Sequence, residues 1–273
     1  MRWRMIPRAG ANRPLLLLIG LLLLLQVGCR SSSVGRSTSK FPAGTGFIRH
    51  EVIVDGAPHA VWVFIPKNYR ASERYPTILF LHGLFEAGHD DDGAISAGLG
   101  PVIARSPETW RFITIFPQSS GTWRGEDRER LAMAALDSVQ RNWSVDRDRV
   151  TLAGLSYGGL GVWEIGAKHP DRFAALVPVA SPRAREVVER VALLPIWAFN
   201  FRGDWVVPSA GADEMCRQIN TRGGSAKQTK FDGIGHDCWD RAVAESNVVN
   251  WMLAQRVSAR VDNATHPEFA DVR

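Results

Sequence analysis

The sequence predicts an α/β domain: a mostly parallel sheet with helices on both faces, entered through an N-terminal antiparallel hairpin. Three observations predict it. Phe47 to Asp55 and Ala60 to Ile65 alternate apolar and polar residues, the period-2 mark of half-buried strands. From Thr77 onward, short apolar runs alternate with helical stretches, as a parallel sheet with crossover helices requires. One such run, Arg149–Ala153, meets its helical stretch directly through Gly154-Leu155-Ser156-Tyr157-Gly158.

The elements follow in order. Gly56-Ala57-Pro58 supplies the hairpin turn. Strands are expected at Thr77–Leu81, Phe112–Phe116, Arg149–Ala153, Ala174–Val179, Pro195–Phe199 and Lys227–Phe231. Helices are expected at Glu126–Asn142, Gly159–His169, Ser209–Arg222 and Asp240–Leu253, with Asp171-Arg172-Phe173 marking a helix-to-strand return. Between Ala180 and Leu194 there is room for one short helix, so no lid domain is inserted there.

The chain divides into four segments: 1–28, an export signal; 29–46, a flexible tether; 47–256, the folded domain; and 257–273, a polar tail. Arg2, Arg4, Arg8 and Arg13 precede the apolar core Leu15–Leu25, and small residues follow, the layout of a secretory signal. That core falls short of the roughly 20 residues of a comfortable span. A retained anchor helix is the alternative. Val27-Gly28-Cys29 resembles a bacterial lipobox, in which the cysteine is acylated and becomes the new N-terminus. The expectation is an exported protein of the bacterial cell envelope, held to the membrane only through lipid on Cys29, with simple secretion as the alternative. The Ser-rich, apolar-poor 30–46 stretch would be the tether.

Charge excludes one class of partner. The four arginines before Cys29 carry most of the formal net charge of +5, leaving +1 for the remainder. No basic nucleic-acid surface is implied. With Cys29 acylated, Cys216 and Cys238 remain, and an oxidising compartment would let them pair; two separately buried thiols are the alternative. His89-Asp90-Asp91-Asp92 lacks the spacing of an ordered cation loop and reads as solvated.

The chemistry centres on Ser156. A nucleophilic serine needs a sharp strand-to-helix turn, and glycines two before and two after it let neighbouring backbone pass close by. A serine at a helix start can also be a simple cap. Catalysis further needs a base and a group to orient it. Asp204 and His236 follow the strands Pro195–Phe199 and Lys227–Phe231, at the sheet edge where open parallel sheets place ligand sites. The loop after Thr77–Leu81 and the residue after the serine would give the oxyanion donors, the backbone N–H groups of Leu84 and Tyr157. His82 precedes the serine and reads as a brace for its loop. Phe85, Trp123, Trp205 and Trp239 fall on loops near this edge and are expected to contact substrate.

Four segments carry a resemblance to the α/β-hydrolase superfamily: Leu81-His82-Gly83-Leu84, Gly154-Leu155-Ser156-Tyr157-Gly158-Gly159, Asp204-Trp205-Val206-Val207-Pro208 and Gly235-His236-Asp237-Cys238-Trp239. The chain is similar to the esterase group that holds feruloyl and acetylxylan esterases, polyhydroxybutyrate depolymerases and peptidase/carboxylesterase relatives. The resemblance runs from about Phe47 to Leu253. Its last segment resembles the His-Asp-x-Trp signature in which the histidine is the base. Asn200-Phe201 stands where relatives carry His-Gly, and Phe85 where a glycine is common.

The resemblance implies the α/β-hydrolase fold and a serine hydrolase that cleaves carboxylic esters through an acyl-enzyme on Ser156, without metal or organic cofactor. The substrate would be a small or polymer-linked ester, since a cleft with no lid suits a soluble or polymer-bound ester. A serine peptidase of the prolyl-oligopeptidase type is the alternative, and a non-catalytic envelope lipoprotein on the same fold is a third reading.

Overall fold

The computed structural model describes residues 42–88 and 92–260. The export signal, Cys29, most of the tether, His89 to Asp91 and residues 261–273 lie outside them.

The chain enters through β1 (Gly46–Val54) and β2 (Ala57–Ile65), paired antiparallel from Gly46↔Ile65 to Val54↔Ala57. The turn is therefore two residues, Asp55 and Gly56, at φ 52° and 79°. Both positive φ values belong to the hairpin turn whose twist matches that of its strands, and Asp-Gly is its preferred pair. This corrects the expected Gly56-Ala57-Pro58 turn. Ala57 and Pro58 belong to β2, where Pro58 lies beyond the Val61–Phe64 stretch that pairs with the next strand inward. Its missing N–H costs that ladder nothing.

Six more strands follow: β3 (Tyr75–Leu81), β4 (Ile113–Pro117), β5 (Val145–Leu155), β6 (Ala175–Val179), β7 (Ile196–Phe201) and β8 (Ala226–Phe231). The sheet order is β1-β2-β4-β3-β5-β6-β7-β8. From β4 to β8 every neighbouring pair is parallel, and β2 joins β4 antiparallel. The expected strands match to within a residue or two, except that β5 begins earlier, at Val145.

Period-2 alternation sends successive side chains to opposite faces, and two cores result. Leu79, Leu81, Ile113, Ile115 and Leu152 pack on one face under α3 (Glu126–Asn142), α4 (Tyr157–Lys168) and α6 (Ala210–Asn220). Ile78, Phe80, Phe116, Leu155 and Val179 pack on the other, under α2 (Leu99–Arg105), α7 (Trp239–Glu245) and α8 (Val248–Ala254). Two short helices, α1 (Gly93–Ser96) and α5 (Val188–Val191), complete the set, the latter after a 3-10 turn at Arg185–Val187. Among the described residues no helix is long and apolar enough to cross a membrane.

Three expectations change. The single helix Asp240–Leu253 is two, because the Ser246 hydroxyl donates to Ala242 O at 2.5 Å and accepts from Val248 N at 3.2 Å, replacing ladder bonds. The polar tail begins later than 257: Ser258 N and Oγ donate to the Asp148 carboxylate, and Arg260 Nη2 to Pro170 O. The Cys216–Cys238 bridge is absent. Both cysteines are free and buried, and they belong to the cores on opposite faces of the sheet.

Candidate active site

The turn between β5 and α4 holds Ser156 at φ 57° and ψ −118°, a region where a side chain is strained. Its neighbours allow nothing larger than glycine. A Cβ on Gly158 would lie 2.0 Å from Leu81 O, and one on Gly154 would lie 2.5 Å from the Gly158 carbonyl. The strand, the turn and the helix start are thereby pressed against the end of β3. The strain is fixed in place by Ser156 N donating to Val179 O and Leu160 N donating to Ser156 O.

Two loops at the same edge are tied to each other. After β7, Arg202 N donates to Phe231 O and Gly203 N to Gly233 O, at 2.9 and 3.0 Å. Asp204 follows, with its side chain fully buried. Its Oδ1 accepts from the amides of Val206 and Val207, both at 2.9 Å. Its Oδ2 lies 2.8 Å from Nδ1 of His236. A carboxylate accepts, so Nδ1 carries the proton and Nε2 presents its lone pair. Nε2 is buried and has no partner among the described residues. Asp237, beside it, is spent on structure: Oδ2 accepts from Gly98 N and Oδ1 from Trp239 N.

At the end of β3, His82 is a brace. Ser119 N donates to its Nε2 at 3.0 Å, so Nδ1 is protonated and donates to Gly83 O at 2.7 Å. Burial pushes its pKa below the ordinary value, against the smaller effect of the Gly83 bond. The exposed loop beyond it carries Leu84 and Phe85 toward Ser156. Neither the N–H of Leu84 nor that of Tyr157 has an acceptor among the described residues.

A cavity of about 520 Å³ opens on Ser156, lined by Leu84, Phe85, Tyr157, Arg183, Val206 and Val207 among others. Phe85 is in its wall, as expected of a substrate contact. The three tryptophans are not. Trp123 is buried beneath His82, its Nε1 donating to His82 O at 3.0 Å. Trp239 is fully buried against Phe80, ring centroids 5.8 Å apart. Each ring is too large to leave in water when an apolar core lies beneath its loop. Trp205 is 79% exposed and is not among the residues that line the cavity.

Arg183 and Glu86 escaped the reading of the sequence. Arg183 stands just past the C-terminal end of β6, the position rule that located the acid and the histidine, and that rule could have found it. Glu86 lies on the loop after β3. A Cβ on Gly83 would stand 2.6 Å from its Oε2 and 3.5 Å from Ser156 Cβ. Burial pushes its carboxyl above the ordinary value, opposed by the amides of Glu86 and Gly83 and by His236, and reinforced by Asp237.

The esterase family profile matches residues 56–264. The chain belongs to this esterase family. The relatives it matches divide between two chemistries. Dipeptidyl-peptidase 5 of Porphyromonas gingivalis is 26% identical over 137 residues, covering 45% of this chain and 19% of that protein. The bifunctional acetylxylan esterase/xylanase XynS20E of Neocallimastix patriciarum is 23% identical over 164 residues, covering 56% and 22%. This chain thus spans about a fifth of the length of the curated relatives it matches. Among solved structures, a thermostable esterase superposes with a TM-score of 0.69 at 22% identity, over 77% of this chain and 63% of that one. Est1E from Butyrivibrio proteoclasticus gives 0.59 at 17%, over 76% and 99%. These likenesses show the α/β-hydrolase fold.

Proposed function

We propose that this chain is a serine hydrolase of carboxylic esters that works through an acyl-enzyme on Ser156. One observation supports this most: the half-buried His236 ring has Nδ1 against Asp204 and a buried Nε2 without a partner among the described residues, at the sheet edge that carries the strained Ser156. In this reading Ser156 Oγ attacks the ester carbonyl while His236 Nε2 takes its proton. The proton then passes to the leaving alcohol, and a water repeats the cycle to free the acid. Asp204 holds the ring in the required tautomer and stabilises the imidazolium. The N–H groups of Leu84 and Tyr157 receive the oxyanion, each lowering the barrier by about 3 kcal/mol. The chemistry calls for no metal or organic cofactor.

Between Ala180 and Leu194 the described chain carries only a 3-10 turn and one short helix, not a lid, which suits a small or polymer-linked ester. Export, with lipid on Cys29 holding the domain at a bacterial envelope membrane, completes the proposal. The test is labelling by a fluorophosphonate, with the adduct mapped to Ser156 by mass. Absence of labelling in folded protein would overturn it.

A serine peptidase is the second reading, favoured by the likeness to dipeptidyl-peptidase 5. Rates on p-nitrophenyl esters against aminoacyl p-nitroanilides separate the two.

A further inference from the structure

Arg183 is the one charged residue in the wall of the Ser156 cavity among the described residues. Its neighbours there are apolar: Pro182, Leu84, Phe85, Val206 and Val207. The backbone beneath it is fixed. Ala180 N donates to Phe199 O at 2.8 Å, Ser181 Oγ donates to Pro182 O at 2.8 Å, and Ala180, Ser181 and Ala184 are all buried. From α6, a Cβ on Gly211 would stand 3.5 Å from Arg183 N. The cation is therefore carried on a rigid corner.

It also lacks a counter-ion. Four carboxylates of the surrounding elements are engaged elsewhere: Glu164 with Arg124 at 3.0 Å, Glu214 with Arg217 at 2.7 Å, Asp213 with Lys230 at 2.9 Å and Asp204 with His236, while Glu86 and Glu186 make no ion pair with Arg183 among the described residues. Among the described residues no acceptor meets the Arg183 guanidinium. An exposed arginine is ordinarily just solvated. Here, however, a ligand filling the cavity would strip water from that guanidinium. Covering a cation with a neutral apolar group is costly, whereas a carboxylate placed against it forms a charge-assisted, two-pronged pair.

We infer that Arg183 is a specificity residue and that the preferred substrate is an amphiphilic ester carrying a carboxylate a few carbons from the scissile bond. This inference rests on the serine-hydrolase reading and deepens it. The apolar walls take the hydrocarbon portion of the substrate, and Arg183 takes its charged end.

The test uses two matched ester pairs on the full-length protein. On the acyl side, mono-4-nitrophenyl suberate is compared with the 4-nitrophenyl ester of suberic acid monoamide. On the alcohol side, 4-acetoxyphenylacetate is compared with 4-acetoxyphenylacetamide. The readout is the ratio of kcat/KM within a pair. In wild-type protein the ratio should favour the carboxylate about tenfold in one arm, which identifies the side of the ester that Arg183 reads. It should shrink as salt is raised. Arg183→Gln should bring the ratio to about one, Arg183→Lys should keep part of it, and Arg183→Glu should invert it. Ratios near one in both arms of the wild type, or a preference that survives in Arg183→Gln, would overturn the assignment while leaving the hydrolase intact. No turnover of any of the four esters would remove the ester-hydrolase reading, and the subsite with it.

Discussion

Asp204 and His236 lie on separate loops, yet Oδ2 of the one and Nδ1 of the other are 2.8 Å apart. What brings them together is backbone, since Gly203 N bonds to Gly233 O and draws the two loops into one unit. The carboxylate of the neighbouring acid, Asp237, accepts from the backbone N–H groups of Gly98 and Trp239. The two carboxylates therefore predict different phenotypes. Asp204→Asn keeps an acceptor for Val206 and Val207 but presents the ring with an amide, which supports the wrong tautomer. Its kcat should fall by about 10⁴. Asp237→Asn should lose stability and retain most of its turnover. Steady-state kinetics with thermal unfolding on both variants checks the ranking, and the reverse order would move the acid to another residue.

Ser156→Ala should lower kcat on p-nitrophenyl acetate by about 10⁶, the scale set by removing a nucleophile of such a unit. The substitution leaves the turn intact, because the strain lies in the backbone and alanine carries the same Cβ. Unfolding should be unchanged or slightly later. Near-normal turnover in folded Ser156→Ala protein would refute the acyl-enzyme.

Gly158→Ala tests the turn by another route. The new Cβ would fall 2.0 Å from Leu81 O, a backbone atom that cannot swing aside. Either β3 or the start of α4 must move, at a cost of about 3 kcal/mol or more. A urea midpoint equal to wild type would show the turn to be more yielding than its packing indicates.

The sheet was legible because β3, β4, β6 and β7 are buried on both faces and read as apolar runs, while the N-terminal hairpin reads by alternation. The pairing of Asp204 with His236 was legible because both residues follow the C-terminal ends of strands, and the strained turn at Ser156 was legible from its flanking glycines. What the sequence hid was tertiary. Trp123 and Trp239 sit on loops in sequence but over a core in space, and nothing local distinguishes them from the exposed Trp205. The α2 helix was missed because Leu99, Val102 and Ile103 are its apolar stripe within a run of glycine, alanine and proline. The hairpin turn was misplaced because Pro58 looks like a turn residue. Asp55-Gly56 was the stronger signal.

The two core cysteines give a prediction about redox. Burial pushes the Cys216 thiol up to about 12 and the Cys238 thiol higher still, so neither is a thiolate near neutrality. With Cys29→Ser to remove the third thiol, a reductant should leave the melting temperature unchanged. A disulfide-exchange reagent should label both sites only in denaturant. A melting temperature that drops on reduction would restore the bridge.

His82 sets how the fold responds to acid. Burial lowers its pKa from the ordinary 6.5, and the Ser119 amide bond requires an unprotonated Nε2. In the window between its folded value and 6.5, the unfolded chain binds more protons than the folded one. Stability contributed by the neutral ring is therefore present above that window and is lost as pH falls through it. His50, also lowered by burial, adds an effect of the same sign. One such proton gives a slope of at most about 1.4 kcal/mol per pH unit. Urea midpoints taken at about pH 7.5 and about pH 5 should fall toward acid in the wild type. His82→Gln should be weaker overall and should show a smaller fall, because it has nothing to titrate at that position. Equal falls in the two proteins would assign the acid sensitivity to other groups and leave His82 a brace indifferent to pH.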